Sequence, residues 1–391
     1  MRYLRIFLFI LLSTMVNWSV YSQETTKPDW KALHYLSQEE MDAGFNNRLT
    51  NFTATDAPTG TIRFPGEFEP MQAVIIRYPL GIPSSLVKTL AEECKVITLV
   101  ASNQQSQAQS AFNSAGVNMD NIVFFNVETD SYWVRDYGPW FIFNNNEPAI
   151  VDFRYNRSRE NDDIIPVTMA NNYFNVPWYG MDVTHTGGNM MEDGRGFGIS
   201  DILVINESTS TSSGYSGITE AQVYERMEAY LGIDNYLVTD DPQGQYIAHV
   251  DCWGKLLAPD KILVAKMPES DSRYQNYEDI ANYFESTNCC WGYPYKVYRV
   301  NELSSTTSTS TSYLAPYTNS LILNDRVFVP LGSNTTYNNN ALQVYRDAMP
   351  GYNVIGVASN SSYAWLNTDA LHCRTRGVMD FNMLYVDHRN V

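Results

Sequence analysis

The chain has 391 residues, of which 43 are Asp or Glu and 26 are Lys or Arg, so its formal charge is -17. Nucleic acid is therefore an unfavourable partner, because its binding relies on clustered cations that neutralise phosphates. Apolar residues make up 44% of the chain and aromatic residues 13%, which allows a large core and excludes disorder for most of the length. The length permits about two or three ordinary domains, or one larger domain built from repeats.

The first 22 residues have the features of a secretory signal peptide. Arg2 and Arg5 form a short basic region, residues 6–16 are mostly apolar, and a small residue precedes an expected cut before Gln23. An uncleaved membrane anchor is the alternative, although the apolar run is short for a bilayer span. The sequence therefore predicts an exported protein, secreted or periplasmic, with no membrane partner once residues 1–22 are removed.

Residues 23–62 are polar and irregular and predict an arm, whereas residues 63–391 predict one domain, since no linker divides them. From Met71 onward, short apolar strands alternate with helical patterns, which is typical of an α/β or α+β fold. Strands are predicted at residues 73–77, 96–101, 122–125, 237–239, 297–300 and 354–357. Helices are predicted at residues 84–94, 107–115, 220–231, 274–285 and 340–348.

Five hairpin-like pairs of strands interrupt this alternation. Turn residues at 145–148, 258–260 and 324–325 mark the clear cases, and weaker ones surround residues 192–194 and 376–377. The polar residues just ahead of these hairpins are Asp136, Asn189, His249 with Asp251, Asn319 and Cys373. Their separations of 53, 60, 70 and 54 residues predict an internally repeated fold. Five units around one axis would bring these polar residues together at the centre.

The residues ahead of the hairpins have complementary chemistry. If His249 and Asp251 begin a strand, they face the same side and Val250 faces the core. A Cys373 thiolate could attack an electrophilic carbon while the His249 imidazole moves protons. The carboxylates of Asp136 and Asp251 could hold a cationic planar group. Paired acids with aromatic walls fit a guanidinium, which offers five donors in a fork and stacks on rings.

Simpler interpretations exist for each residue. Cys373 alone is most often a small buried apolar residue, His249 a core histidine, and Asp136 a turn cap or a partner of Arg135. Their joint placement ahead of hairpins favours catalysis. Zinc is a second chemical hypothesis, although no C-x-x-C or H-E-x-x-H spacing supports it. Its donors would be His249, Asp251, Cys252, His372 and Cys373.

The cysteines do not suggest a disulfide framework. There are five, an odd number that is small for an exported protein of this size. Cys289 and Cys290 are adjacent, which rarely suits disulfide geometry, and we interpret both as buried packing residues. Cys94 is interpreted in the same way, on the apolar face of a helix.

Four motifs resemble those of the agmatine deiminase and Porphyromonas-type peptidylarginine deiminase family. They are Trp133-Val134-Arg135-Asp136-Tyr137-Gly138-Pro139, His185-Thr186-Gly187-Gly188-Asn189, His249-Val250-Asp251 and Leu371-His372-Cys373-Arg374. The resemblance covers roughly residues 60 to 385 and, with four motifs in order, is specific. It implies a pentein fold, an α/β propeller of five ββαβ-type units around a central active site. It also implies hydrolysis of a guanidinium to a ureido group with loss of ammonia.

The resemblance further implies roles for individual positions. Cys373 is similar to the nucleophile, which would form a covalent thiouronium, and His249 is similar to the general acid/base. Asp136 and Asp251 are similar to the carboxylates that grip the guanidinium. The positions that resemble substrate-binding residues are Trp133, Arg157, Arg159, Asn189, Tyr246 and Asn319. No metal or other cofactor is implied.

Arg157 and Arg159 favour one branch of the family. They resemble the pair with which the bacterial peptidylarginine branch holds the terminal carboxylate of its substrate. Agmatine has no carboxylate, and two arginines would repel its distal ammonium. We therefore expect a peptide ending in arginine, converted to a citrulline peptide. The simpler interpretation of the pair is a solvated basic turn beside Asp162 and Asp163.

Two other functions stay open at this stage. An agmatine deiminase would convert agmatine to N-carbamoylputrescine in putrescine biosynthesis. A non-catalytic exported binding module could be built on the same repeat and would not need Cys373. The sequence leaves the oligomeric state open.

Overall fold

The computed structural model describes residues 52–211, 215–244, 247–302, 316–359, 364–366 and 368–383. The predicted signal peptide and most of the predicted arm, over residues 1–51, lie outside these ranges. Within them the chain forms a mixed α/β fold with five sheets. None of the helices in the described part of the chain is long and apolar enough to cross a bilayer.

Four sheets share one order of elements along the chain. An antiparallel hairpin supplies two strands, and a helical segment then leads to a third strand that pairs in parallel with the second. We call these units 1 to 4. Their strands are Trp140–Asn144, Glu147–Tyr155 and Trp178–His185 in unit 1; Met191–Glu192, Phe197–Asp201 and Asn235–Thr239 in unit 2; Gly254–Ala258, Lys261–Lys266 and Lys296–Asn301 in unit 3; and Leu321–Leu323, Arg326–Leu331 and Asn353–Ala358 in unit 4.

The helical segments lie between the second and third strands of each unit. The helix of residues 220–231 begins and ends on recognisable signals: Thr219 and Gln222 form a capping box at its start, and Gly232 with φ 67° ends it. The helices are Glu160–Asp163, Ile165–Met169 and the π-helical Ala170–Phe174 in unit 1; Leu203–Thr209 and Glu220–Leu231 in unit 2; Tyr274–Ser286 in unit 3; and Thr335–Ala348 in unit 4.

Unit 5 joins the two ends of the domain. Its first strand, Arg376–Met379, pairs antiparallel with Met71–Tyr78, after which the helix Ser84–Glu93 leads to the parallel strand Lys95–Val100. A second helix, Gln105–Ser114, and the 3-10 turn Met119–Asn121 lead to a fourth strand, Ile122–Asn126.

The last predicted hairpin is therefore wrong. The chain does not turn at residues 376–377 but stays extended there, because the partner strand comes from the start of the domain. The other four predicted hairpins are confirmed.

Residues 52–63 pack against units 1 and 2. Ile62–Arg63 pairs antiparallel with the first strand of unit 1. Thr55 N donates to the carbonyl of Gly180 at 3.0 Å, and Tyr230 Oη donates to the carbonyl of Thr55 at 2.5 Å. The described end of the predicted arm is therefore fixed by main-chain contacts.

Buried apolar side chains form two clusters. The larger one includes Ile142, Val329 and Ile75 from units 1, 4 and 5. The smaller one surrounds Trp253, ahead of unit 3, and contains Val250, which is fully buried as predicted. Since each polar residue ahead of a hairpin is followed directly by a buried strand, the core fixes where those polar residues lie.

Replacement of Ile75 by Ala tests the strand that joins the ends of the domain. Ile75 is fully buried and lies between Arg376 on one neighbouring strand and Ile97 on the other. We expect Ile75→Ala to lower the free energy of unfolding by about 2–5 kcal/mol, because a large cavity replaces packed side chain. Urea unfolding followed by circular dichroism measures the loss.

The matched control is Glu92→Ala, on the helix that follows the same strand. Glu92 is exposed, and its replacement should change the free energy of unfolding by no more than about 0.5 kcal/mol. Equal costs for the two variants would contradict the central position of this strand.

Candidate active site

Segments that precede the hairpins meet in one buried cluster. Cys373 Sγ lies 3.1 Å from Asn319 Nδ2 and 3.5 Å from Asp251 Oδ2. His249 Nδ1 lies 3.9 Å from Asp136 Oδ1. Each of these five residues is at most 3% exposed. The structure thus brings together the thiol, the imidazole and the two carboxylates that the sequence singled out.

Gly188 lies where these groups converge. A Cβ atom at Gly188 would lie 2.7 Å from both Asp136 Oδ1 and His249 Nδ1, and 3.2 Å from Asp251 Oδ2. This glycine, whose side chain is a single hydrogen atom, is therefore bordered by three functional groups that come from two other segments of the chain. Its missing side chain leaves a small polar space that carboxylates face from two directions.

His249 and Asp251 reach this space by a route that the sequence did not predict. Val250–Cys252 forms a 3-10 turn, and the strand begins only at Gly254. The prediction that His249 and Asp251 begin a strand is therefore wrong. The tight turn, closed by a bond from Cys252 N to the carbonyl of His249 at 3.0 Å, brings both side chains to the same side.

The loop that carries Asp136 is anchored on both sides. Asp136 N donates to the carbonyl of Trp133, and Gly187 N donates to the carbonyl of Asp136, both at 2.9 Å. A Cβ at Gly187 would lie 2.0 Å from the carbonyl oxygen of Arg135, so this approach requires glycine. Arg135 N also donates to the carbonyl of Cys373 at 3.2 Å, which ties this loop to the one with the thiol.

Asn319 holds the backbone of the loop that carries Cys373. Its Oδ1 accepts from the backbone N–H groups of Ala370 at 3.1 Å, His372 at 2.9 Å and Cys373 at 3.3 Å. Its Nδ2 donates to the Cys373 sulfur and to the carbonyl of Asp251 at 3.4 Å. One carboxamide therefore fixes the thiol relative to Asp251.

Arg374 fixes the same loop from another side. Its guanidinium forms two bonds to the carboxylate of Asp369, at 2.8 and 2.5 Å, and one to the carbonyl of Gly81 at 2.8 Å. It also lies between two aromatic rings, 4.9 Å from the centroid of Tyr132 and 5.0 Å from that of Trp365. This buried, bidentate and stacked ion pair makes the loop rigid.

The Cys373 thiol is protonated at neutral pH when the site holds no cation. Burial raises the pKa of Cys373 well above its usual value, and the charges of Asp251, Asp369 and Asp136 raise it further. A planar cation between Asp136 and Asp251 would offset these negative charges. The arrangement therefore favours a thiolate only when a cation is bound.

Arg157 and Arg159 are buried beside this cluster. The guanidinium of Arg159 lies 5.1 Å from the ring centroid of Trp133, and its Nη1 donates to Tyr155 Oη at 3.4 Å. Arg157 donates to the carbonyl of the preceding residue at 3.0 Å. Burial raises the pKa of Tyr155, the charges of Arg159 and Arg157 lower it, and those of Asp136 and Asp162 raise it. With exposures of 4% and 7%, the two arginines are not the solvated turn of the simpler interpretation.

One other position implied by the resemblance, Asn189, is placed away from the cluster. Asn189 Oδ1 accepts from Asp201 N at 2.7 Å, and its Nδ2 donates to the carbonyl of Asp201 at 3.2 Å. Its carboxamide therefore supports the turn Gly187–Asn189 and not an open surface. Tyr246 lies outside the described residues.

Besides Cys373, one cysteine borders the cluster of functional groups: the sulfur of Cys252 lies 3.5 Å from Asp251 Oδ1. Cys94, Cys289 and Cys290 have no part in it. All five cysteines are free. Cys289 is buried as predicted, whereas Cys290 is exposed, so the prediction is wrong for Cys290. Cys94 lies just after the end of its helix and is half-buried. Among the described residues, no group of three or more His, Cys, Asp or Glu side chains is placed to hold a metal ion.

Sequence reasoning missed three supports of this site. Glu67, Gly188 and the Arg374–Asp369 pair were not singled out as functional. The adjacent glycines in His185-Thr186-Gly187-Gly188-Asn189 were a signal of close backbone approach. Glu67 gave no comparable signal, because the residues that contact its carboxylate lie far from it in the sequence. They are Arg135, Lys255, Ile322 and His372.

Comparison with known proteins identifies the family. The family model described as Porphyromonas-type peptidyl-arginine deiminase matches residues 63–378, well over half of the chain. The chain belongs to this family. The resemblance deduced from the four motifs is thereby confirmed, and with it the assignment to the deiminases, hydrolases that act on linear amidines.

Solved structures share the fold at low sequence identity. A candidate peptidyl-arginine deiminase is 20% identical with a TM-score of 0.70, over 82% of this chain and 100% of that one. A candidate arginine deiminase from Porphyromonas gingivalis is 17% identical, with a TM-score of 0.68, over 81% and 98%. The agmatine deiminase of Enterococcus faecalis is 18% identical, with a TM-score of 0.69, over 84% and 99%. Fold similarity therefore does not distinguish these branches.

Replacement of Gly188 by Ala tests the space that it leaves. The added methyl would press on Asp136 and His249 at 2.7 Å, so it would displace either those groups or the bound guanidinium. We expect kcat/KM for ammonia release from a guanidino substrate to fall by about 100-fold, since small misplacements at a reacting centre are costly.

Gly254→Ala is the matched control. Its new Cβ would meet nothing closer than 3.7 Å, so it should leave ammonia release within a factor of about three of the original chain. Similar kinetics for the two variants would show that the space at Gly188 is not used.

Thiol alkylation tests the dependence of Cys373 on a bound cation. Chloroacetamidine carries a planar cation, whereas chloroacetamide is neutral and has the same leaving group. The raised pKa of Cys373 should make it slow to react with the amide at pH 7, while the amidine should favour its thiolate.

Peptide mass spectrometry measures both rates, with the exposed Cys290 of the same chain as the internal control. We expect the amidine-to-amide rate ratio to be at least about tenfold higher at Cys373, which corresponds to a pKa difference of about one unit. Equal ratios would refute the role assigned to the acids.

Proposed function

We propose that this chain hydrolyses the guanidinium of a C-terminal peptidyl-arginine, giving a citrulline peptide and ammonia. The observation that carries the proposal is the convergence of Cys373, His249, Asp136 and Asp251 around Gly188. Family membership supports the deiminase class. The choice of substrate is supported by the two buried arginines beside the cluster.

The reaction would proceed in two halves. With the guanidinium held by Asp136 and Asp251, Cys373 transfers its proton to His249, the thiolate attacks the central carbon of the guanidinium, and an S–C bond forms. His249 protonates one nitrogen, the C–N bond breaks, and ammonia leaves a covalent thiouronium. His249 then takes a proton from water, whose oxygen attacks the same carbon. The S–C bond breaks, and the ureido product leaves with the thiolate restored.

The contacts among the loops support a ring of units. Residues ahead of units 1, 3, 4 and 5 contact one another directly through Asp136, His249, Asn319 and Cys373, and Gly188, ahead of unit 2, lies against them. Unit 5 is formed by strands from both ends of the domain. We infer that the five units surround one axis, as in an α/β propeller, with the cluster at its centre.

Arg157 and Arg159 support a substrate that carries a carboxylate. Both arginines are buried, and the guanidinium of Arg159 stacks on Trp133, which lies on the loop that carries Asp136. In this proposal the indole of Trp133 flanks the methylene stem of the substrate arginine, and the guanidinium groups of Arg157 and Arg159 face its terminal carboxylate. Arginine suits this task because its fork binds both carboxylate oxygens.

Agmatine is the second candidate substrate. The agmatine deiminase of Enterococcus faecalis has nearly the same structural similarity to this chain as the candidate peptidyl-arginine deiminase. Against it, the distal ammonium of agmatine would meet two buried cations.

The site of action is also part of the proposal. The basic, apolar and small-residue pattern of residues 1–22 supports export to the periplasm or the medium. Peptides that end in arginine are available there, whereas agmatine is a precursor of cytosolic polyamines.

Product analysis tests the activity itself. Purified chain would be incubated with free arginine, agmatine, and peptides that carry arginine at either end or in the middle. Release of citrulline and ammonia from peptides with a C-terminal arginine supports the proposal, and turnover of agmatine alone would transfer it to the second candidate. Cys373→Ala should abolish release while its circular dichroism spectrum stays unchanged. Release that persists in this variant would eliminate Cys373 as the nucleophile.

Arg157→Ala tests recognition of the carboxylate. We expect KM for peptides ending in arginine to rise by about tenfold or more, the size of one charge-assisted hydrogen bond. KM for the corresponding C-terminal amides should change much less, because they offer no carboxylate to lose.

Arg154→Ala is the matched control for Arg157→Ala, because it removes a positive charge of the same kind from the same segment of the chain. Arg154 pairs with Asp182 at 2.5 Å and lies over the rings of Phe52 and Tyr215, so its loss should not alter the ratio of acid to amide KM. Equal effects of Arg157→Ala on acids and amides would remove the proposed role.

A further inference from the structure

His372 lies between two buried carboxylates. Its Nδ1 is 2.7 Å from Asp251 Oδ2, and its Nε2 is 2.8 Å from Glu67 Oε2. His372 is only 2% exposed. The sequence placed His372 in a family motif, or among the donors of a zinc site, but gave it no part in handling a guanidinium.

The carboxylate of Glu67, which contacts His372 on the side opposite Asp251, is itself fixed by several polar contacts. Its Oε1 accepts from Lys255 Nζ at 2.6 Å and from Ile322 N at 2.9 Å, and its Oε2 accepts from Arg135 Nη2 at 2.6 Å as well as from His372. Burial raises the pKa of Glu67, but Lys255, Arg135 and His372 together lower it well below its usual value. Glu67 is therefore an ionised and immobile anchor.

Each ring nitrogen of His372 consequently faces a carboxylate oxygen at hydrogen-bond distance. Such a contact is attractive only if a proton lies between the two atoms. Both contacts hold a proton at the same time only when His372 is a doubly protonated imidazolium. Burial and the neighbouring cations Arg135 and Lys255 lower the pKa of His372, against Glu67 and the hydrogen bond to Asp251, which raise it. When the ring holds a single proton, Nδ1 is its favoured position, because Glu67 already accepts from Lys255, Ile322 N and Arg135.

The ionisation of the Asp251 carboxyl group depends on His372 more than on its other neighbours. Beyond His372, its carboxylate faces two thiols, Cys373 at 3.5 Å from Oδ2 and Cys252 at 3.5 Å from Oδ1. Burial alone raises the pKa of Asp251, and the hydrogen bond and charge of His372 bring it below the usual value. Without His372, a buried Asp251 would tend to be a neutral acid, which cannot pair with a guanidinium.

We propose that His372 is a positioning residue of the deiminase site. Its Nδ1–H holds the Asp251 carboxylate ionised and oriented toward the space at Gly188, and Glu67 holds His372 in turn. The inference rests on the proposed function for its effect on turnover. Such hydrogen-bonded supports of a functional carboxylate typically change activity by about 10–100-fold.

Two amide variants separate this role from a purely structural bridge. An Asn side chain places its N–H₂ near the position of a histidine Nδ1, whereas a Gln side chain places it near Nε2. His372→Asn can still donate to Asp251, and His372→Gln can donate only to Glu67. We expect kcat/KM to fall by about 10–100-fold in His372→Gln, mainly through KM, and His372→Asn to recover a large part of that loss.

The pH dependence of kcat/KM adds a second measurement, which a simple loss of stability would not shift. Asp251 must be ionised to bind the cation, and His372 lowers the pKa of Asp251. Loss of the Nδ1 donor raises that pKa, so activity would be lost earlier as the pH falls. The acidic limb of kcat/KM should therefore shift to higher pH in His372→Gln and much less in His372→Asn.

Two kinetic results would overturn the proposal. If His372→Gln is active and His372→Asn is not, the bridge to Glu67 matters and the donor to Asp251 does not. If both variants match the original chain in kcat/KM and pH profile, His372 positions nothing. Thermal unfolding of both variants shows whether either loss merely reflects a failure to fold.

A measurement on the original chain keeps the inference testable without any activity. In a ¹⁵N spectrum of histidine-labelled protein, the Nδ1 of His372 should carry an exchange-protected proton from pH 6 to 8. Variants of the other four histidines, His34, His185, His249 and His388, assign the signals by elimination if no His372 variant folds. An unprotonated Nδ1 would overturn the inference. A protonated Nδ1 in a chain that releases no ammonia from any guanidino compound would refute only the proposed function.

Discussion

The carboxylate of Glu67 is the contact on which the rest of the site depends. Its four donors come from Arg135 ahead of unit 1, Lys255 in unit 3, Ile322 in unit 4 and His372 ahead of unit 5. A single buried anion therefore links segments that lie up to 305 residues apart. Removing a partner of such a buried charge typically costs about 3–5 kcal/mol, because the remaining charges cannot regain water. The loops of the site are held to one another through this charge.

A second constraint follows from the surplus of acids at the site. Asp136 and Asp251 flank a thiol that burial and their own charges keep protonated. The site is thus organised for the charge of its substrate, and a neutral ligand would find neither a counter-charge nor a nucleophile. Preorganised charge of this kind acts without reorganisation during the reaction, since the surrounding hydrogen bonds already fix each group. Selectivity for a guanidinium and activation of Cys373 then have the same electrostatic origin.

The sequence predicted the members of the site better than the way in which they are held. The similar spacing of Asp136, Asn189, His249, Asn319 and Cys373 predicted convergence. The side chains of Asp136, His249, Asn319 and Cys373 do meet, because each precedes a buried hairpin or strand of a repeated unit, whereas the carboxamide of Asn189 bonds to Asp201. The strand predicted at His249 was wrong, since a two-residue spacing cannot be distinguished from a 3-10 turn. Local patterns also could not reveal that residues 376–377 pair with the start of the domain. Long-range partners such as those of Glu67 leave no periodic trace in a single sequence.

The pairing of Arg376–Met379 with Met71–Tyr78 has a consequence for biosynthesis. Cys373 precedes this final strand by three positions, so its loop is among the last parts of the domain to leave the ribosome or to cross a translocon. The pairing of that strand with Met71–Tyr78 thus holds the end of the loop whose Cys373 sulfur contacts Asn319 at 3.1 Å and Asp251 at 3.5 Å, so the geometry of the thiol depends on the contact between the two ends of the domain.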